Sequence, residues 1–161
     1  MIVDKLLTFT GASGQAITSA ATTATTDHID LGPLATGNTG RNIGLGKQMF
    51  AVLSLRAGSV TTVSNPTAQI TIQVDDNTSF SSAATLVTSA AVALPTTSGT
   101  LAGNDLKVLI VLPLPVTSSY ERYLRAQIIT GGTITTASYT FDLQIVEAAQ
   151  VWEAKADALD V

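Results

Sequence analysis

At 161 residues the chain suits one domain with a core of its own, needing neither disulfides nor a structural metal. Hydrophobic residues make up 45% and charged residues only 12%, against about 25% charged in ordinary soluble domains, so Thr, Ser, Asn and Gln must clothe the surface and a partner is expected over its less polar parts. The lack of cysteine excludes a disulfide framework, thiolate-bound zinc and a thiol nucleophile, and a formal charge of −4 with Lys5, Arg41, Arg56 and Arg122 scattered argues against a phosphate-tracking stripe and so against nucleic-acid binding.

Val3, Lys5, Leu7 and Phe9 alternate with Asp4, Leu6 and Thr8, which predicts a first strand ended by Gly11 and Gly14. The acid and base inside that stretch, without a small-residue cleavage site, argue against a secretory signal and for synthesis in a cytoplasm. No apolar run reaches the roughly 18–20 residues that cross a bilayer, so no membrane partner is expected. Residues 18–26 form a Thr and Ala tract of β preference but little bulk, and 28–31 read as a short strand stopped by Gly32-Pro33. Gly32, Gly37, Gly40, Gly44 and Gly46, with Asn38 and Asn42 between them, make 32–46 a long loop. Loops of that length usually bind something or await a partner, which makes Asn38, Arg41, Asn42 and Lys47 candidate contact residues.

Residues 48–56 are apolar on both faces, Met49, Ala51, Leu53 and Leu55 against Phe50 and Val52, and so belong inside a sheet. A turn is expected over 58–66. Ile70, Ile72 and Val74 then alternate with Thr71 and Gln73 in a half-buried strand, Asp75-Asp76-Asn77 form a polar corner with Phe80 as its plug, and Leu86-Val87 mark the returning strand. A polar link covers 96–103, and 106–112 is again apolar on both sides until Pro113 and Pro115 stop it. In 122–129, Tyr123, Arg125 and Gln127 separate from Leu124, Ala126 and Ile128, with Gly131-Gly132 as a hairpin signal. Tyr139, Phe141, Leu143 and Ile145 give the clearest two-residue period.

Seven or eight strands with almost no helical periodicity predict an all-β, single-domain jelly-roll-like sandwich over 1–146, including the glycine-rich loop 32–46. The tail, 147–161, differs: its Ala, Glu and Lys favour helix, and Val151, Trp152, Lys155 and Leu159 fall near one face at helical spacing. It reads either as a short helix on its own domain or as an arm whose Trp152, with Val151 and Leu159, anchors in a neighbouring subunit.

The chemistry-bearing residues give little. His28 stands between Asp27 and Asp30, but no G-x-S-x-G elbow accompanies it, and one histidine is too few for a metal-binding jelly roll. Gly44-Leu45-Gly46-Lys47 fails the phosphate-loop pattern, with Arg41 where its first glycine belongs and Gln48 where Ser or Thr belongs. Asp75, Asp76 and Asn77 could offer oxygens to calcium but lack the EF-hand alternation, and more simply they cap a turn. No spacing singles out a carboxylate pair from Asp75, Asp76, Glu121 and Asp142. No enzyme, cofactor or metal site is expected. Tyr120, Tyr123 and Arg125 suggest an outward aromatic and cationic face that could grip a protein or a carbohydrate.

Ile29-Asp30-Leu31-Gly32, the strand and corner over 69–86, and Glu121-Arg122-Tyr123-Leu124-Arg125 with Gly131-Gly132 resemble the capsid cement (decoration) proteins of tailed double-stranded DNA bacteriophages. The resemblance implies a structural virion protein on the outer capsid surface that clamps neighbouring subunits of the major capsid protein. It also implies a homo-oligomer, a dimer in the first place, with trimers known among decoration proteins. The alternative, from another class, is a carbohydrate-binding β-sandwich module resting on Tyr120, Tyr123 and the Asp75 corner.

Overall fold

The computed structural model describes residues 7–11, 13–32, 48–60, 63–96, 99–100, 107–115, 120–134 and 138–147. Eleven strands run in chain order: β1 (Gln15–Ile17), β2 (Thr22–Ala24), β3 (Ile29–Asp30), β4 (Met49–Val60), β5 (Val63–Asp75), β6 (Ala84–Thr88), β7 (Val92–Ala93), β8 (Gly99–Thr100), β9 (Lys107–Pro113), β10 (Tyr123–Ile134) and β11 (Ser138–Glu147). All pairings are antiparallel, and no α-helix occurs among the described residues.

The strands form two sheets. The first runs β1-β11-β4, with β8 and β9 sharing the far side of β4; the second runs β10-β5, with β2 and β3 sharing the outer side of β10 and β6 and β7 that of β5. Three positions are each shared by two short strands, so eleven strands occupy eight positions, ordered 1-8-3-6 and 2-7-4-5. Consecutive positions cross repeatedly between sheets, which is the double-sheet jelly roll.

Period-two alternation explains the core. Ala51, Leu53 and Leu55 of β4, Tyr139, Phe141, Leu143 and Ile145 of β11, and Ile110 and Leu112 of β9 turn inward from the first sheet. Ala68, Ile70, Ile72 and Val74 of β5, with Leu124, Ala126 and Ile128 of β10, meet them from the second. Each such aliphatic side chain contributes roughly 1.5–3 kcal/mol on burial. The Tyr139 ring is wholly buried while its hydroxyl donates to the Pro95 carbonyl at 2.8 Å, and burial raises its pKa.

Several expectations change. The Thr and Ala tract holds one short strand, β2 of the second sheet, and β1 of the first sheet ends just before it at Ile17, so the chain changes sheets as it enters the tract. Residues 58–66 do not turn as a block: β4 continues to Val60 and β5 starts at Val63. Gly131-Gly132 is not a hairpin but stands inside β10 opposite a β-bulge of β5, where Asn65 and Pro66 oppose the single residue Gly132. A bulge is where a strand tolerates a proline, which has no N–H for the ladder. Of the predicted first strand, 1–6 lie outside the described residues; Thr8 makes one bridge, to Gln144, and the buried Phe9 donates its N–H to the Leu143 carbonyl at 2.9 Å. Among the described residues the strands number eleven rather than seven or eight, because short edge segments share positions.

Candidate interaction surfaces

The three sequence pieces that carry the resemblance become neighbours at one end of the second sheet. Ile29 and Asp30 of β3 pair with Leu124 and Tyr123 of β10, which pair in turn with Val74 and Asp75 of β5. Arg122 grips Asp30 with Nε on Oδ1 at 3.0 Å and Nη2 on Oδ2 at 2.9 Å, and the Gly32 N–H donates to Oδ1 at 2.8 Å. The Arg122 bond, followed by that of Gly32, lowers the Asp30 pKa to about 2.

Asp75 holds the adjoining corner. Burial pushes its carboxyl up, but the N–H groups of Asn77 (3.1 Å) and Ser82 (2.9 Å), with side-chain bonds added, outweigh this and hold its pKa below the ordinary value. The Asn77 amide donates to it at 2.7 Å and the Ser82 hydroxyl at 3.2 Å. These oxygens are committed to a turn, and no group of three or more potential metal ligands occurs among the described residues. The turn places Phe80, 8% exposed and with a positive φ of 50°, as the expected plug. Because both folded-state pKa values lie below the ordinary 3.8, the stability that Asp30 and Asp75 supply is complete well above that value and is lost as pH falls below it, for Asp30 through about 2. Asp75→Ala is expected to lower Tm by about 5 °C at neutral pH. Asp75→Asn should flatten the acid limb of a Tm-against-pH series measured by circular dichroism.

Over this corner lies a run of rings and guanidinium groups. The Arg122 Cζ sits 4.9 Å from the Tyr123 ring centre, His28 meets Tyr123 edge-on at 5.5 Å and Phe80 at 6.1 Å, and the Arg125 Cζ lies 4.5 Å from the Phe80 centre. Arg125 Nε donates to Gln73 Oε1 at 2.9 Å. Such cation–π contacts are worth about 0.5–1 kcal/mol each when exposed. Tyr123 and Arg125 thus share an outward face, as expected. Tyr120 does not: it is 4% exposed, its hydroxyl donates to the Pro115 carbonyl at 2.8 Å, and burial raises its pKa. The expected outward Tyr120 is corrected: its ring packs in the core, and its hydroxyl is satisfied there by the Pro115 carbonyl. With Arg122 over its face, Tyr123 is not an open stacking platform. Sequence reasoning missed the partnership of His28, Phe80 and Arg122, because residues so far apart meet only through strand pairing.

The second surface is the outer face of the first sheet. Opposite the core-facing residues, the register sets Val146 beside Phe50 and Phe50 beside Pro113, then Gln144 beside Val52 and Val52 beside Val111. Val111 is 48% exposed, the one exposed large hydrophobic among the described residues. β4 does lie inside its sheet, and its second apolar face lies away from the core between the sheets, but that face is covered along β4, where Val52, Ser54 and Gln144 beside it are buried, and is open at Val111. Towards the other end the face becomes polar: Arg56 Nε lies 3.5 Å from Asp142 Oδ2, and burial raises the Asp142 pKa although Arg56 opposes the rise.

The remaining candidate residues, Asn38, Arg41, Asn42, Lys47, Val151, Trp152 and Leu159, lie outside the described residues, as does most of the 147–161 tail; Glu147 itself ends β11. Their points of attachment are informative. Gln48 leads from the glycine-rich loop into β4, and Met49 pairs with Glu147, where β11 gives way to the tail. Gln48 Nε2 also donates to the Leu114 carbonyl at 2.8 Å, just beyond β9. Loop and tail therefore join the sheet at paired positions beside its apolar outer face.

A family model described as Bbp16 matches residues 11–145 of the chain. No curated protein matches it.

Proposed function

The chain belongs to the Bbp16 family, and from that premise we propose that it is a structural virion protein that binds the outer surface of a phage capsid and clamps neighbouring subunits of the major capsid protein. The family name points to a phage-related protein. The observation that carries the reading is that the glycine-rich loop enters, and the C-terminal tail leaves, the first sheet at paired positions, Met49 and Glu147, beside the half-buried Phe50 and Val146 and on the sheet that exposes Val111. A low-charge protein with an apolar sheet face suits a role completed by another protein.

The mechanism is linkage. A clamp that binds only the assembled, expanded shell shifts the shell equilibrium towards intactness by its binding free energy. Many copies, each bridging subunits, make modest single contacts sufficient. In this reading the protein is made in the host cytoplasm, resides on the outer virion surface and self-associates, with a dimer favoured. Tyr123 and the loop and tail residues are its contact candidates.

The test is co-sedimentation of purified protein with expanded phage heads lacking it. Saturable occupancy and greater heat resistance of the heads are expected. Trp152→Ala should reduce affinity by about tenfold, the order expected for an interface tryptophan, and deletion of 148–161 by more. Both variants should keep the β-sheet circular dichroism spectrum. Unchanged occupancy of the truncated protein would defeat the tail assignment and turn attention to Asn38, Arg41, Asn42 and Lys47. Failure of the wild-type protein to bind heads, with a glycan array positive and dependent on Tyr123, would replace the reading by the carbohydrate-binding one.

A further inference from the structure

Residues 76–82, between β5 and β6, are held to the outward face of the second sheet by one carboxylate and one ring. The carboxylate is that of Asp75, which is fully buried and has no cation paired with it among the described residues. Ring contacts apart, the hydrogen bonds that tie 76–82 to the rest of the molecule all end on it: those of the Asn77 and Ser82 N–H groups, the Asn77 amide and the Ser82 hydroxyl. The other bonds stay inside the corner, where Asn77 holds Asp76, Ser79 and Ser81 and its carbonyl accepts the Phe80 N–H at 3.4 Å. The ring is that of Phe80, which lies under Arg125 and against His28 and is not part of the cluster between the sheets. Its φ of 50° is a left-handed backbone that a residue with a large side chain rarely adopts.

We infer that Asp75 is a proton-operated latch: when its carboxylate takes up a proton, residues 76–82 leave the sheet as a unit and expose Phe80, while the sandwich stays folded. An ionised carboxylate only accepts hydrogen bonds; a protonated one turns an oxygen into a donor and loses the charge that strengthened the remaining bonds. The donors of Asn77 and Ser82 then compete for too few lone pairs. Release relaxes the Phe80 backbone and lets water satisfy those donors, while burial of the ring opposes it. The sandwich does not depend on the corner, because Val74 still pairs with Ala84 and with Leu124, and Val74 and Leu124 belong to the core. Neighbouring charges do not replace the tether. Asp76 stands on the corner itself, Arg122 is engaged by Asp30, Arg125 bonds Gln73, and His28 meets Phe80 and Tyr123 only by ring contact. Since the folded carboxyl value lies below the ordinary 3.8, the latch is closed well above that pH and opens as pH falls below it. The latch is independent of the cement-protein reading and is tested on the free protein.

Fluorine NMR of protein carrying 4-fluorophenylalanine reads the four phenylalanines separately, and the Phe80 line is the one missing from Phe80→Leu. In a titration from about pH 6 to about pH 2.5, the Phe80 line is expected to move to the position of solvent-exposed fluorophenylalanine while the core Phe9 and Phe141 lines keep their folded positions. Asp75→Asn, whose amide cannot carry the charge and turns N–H groups towards other donors, should show the exposed Phe80 position already near neutral pH, with no transition. Asp30→Asn, which frees Arg122 but keeps the bonds of the corner, should retain the wild-type transition. Movement of all the lines together, or of none before the protein unfolds, overturns the latch, as does a wild-type transition in Asp75→Asn or its loss in Asp30→Asn. Should Asp75→Asn not fold, the wild-type titration and Asp30→Asn decide between these outcomes.

Discussion

Ile72→Asp and Leu143→Asp are each expected to abolish the folded state at neutral pH. Both side chains are completely buried, Ile72 in the middle of the second sheet and Leu143 in the middle of the first. Each substitution forfeits about 1.5–3 kcal/mol of apolar burial. It also places a carboxylate without a partner between the sheets, at a further cost of about 3–5 kcal/mol. The total rivals the whole stability of a typical domain, about 5–15 kcal/mol. Loss of the near-ultraviolet circular dichroism signal and collapse of amide shift dispersion would report the unfolding. Ile72→Val, which keeps shape and polarity, should cost only about 0.5–1.5 kcal/mol. A wild-type melting curve for either Asp variant would mean that the two alternating faces do not oppose each other.

The second large effect is expected at Gly132. Its φ is +81°, and an added Cβ would stand 2.3 Å from the Asn65 carbonyl oxygen and 2.7 Å from that of Ser64, both backbone atoms that no side-chain rotation can move. Gly132→Ala therefore combines a left-handed backbone, about 1–2 kcal/mol for an L-residue, with displacement of the bulge on β5. A loss of about 2–4 kcal/mol in denaturant unfolding is expected. Gly32 is the internal control: its φ is +77° but nothing lies within 4 Å of an added Cβ, so Gly32→Ala should cost only the backbone part, about 1 kcal/mol. Equal losses at the two glycines would show that the close approach to Asn65 carries no energy.

Gly132 also illustrates why some of the fold could not be read in one dimension. A Gly-Gly pair between two alternating runs is a good hairpin signal, and only the partner strand shows that Asn65 and Pro66, far away in sequence, need a residue without a side chain opposite them. The stretch 58–66 misled for the same reason, because its Gly58 pairs with Tyr139 inside β4 and its Asn65 and Pro66 form the bulge inside β5. Tyr120 and Tyr123 are three positions apart and look alike in sequence, yet one is core and the other surface. Three positions is an odd number, so a two-residue period already opposes their directions, and Tyr120, just before β10, is the one turned inward.

The surfaces follow the same logic. That 48–56 and 106–112 were apolar on both faces was visible at once, but whether their second faces meet the protein's own interior or the outside depends on layer order. In a sandwich of two sheets, each strand has one face towards the other sheet and one away from it, so the doubled pattern of β4 and β9 puts apolar residues on the far face as well, where Val52 is buried and Val111 exposed. The ion pair of Arg122 with Asp30 and the rings around His28 likewise require β3 to lie against β10.

By itself the sequence determined the all-β class, the positions of the main strands, most of the inward residues and the polar corner at Asp75, because each depends on a two-residue period or on local turn chemistry. Tertiary structure alone decided the jelly-roll order, the bulge at Gly132, the burial of Tyr120 and the meeting of loop and tail attachments at one end of a sheet. Those depend on which strands pair and in what register, and pairing energy arises between residues that are remote along the chain.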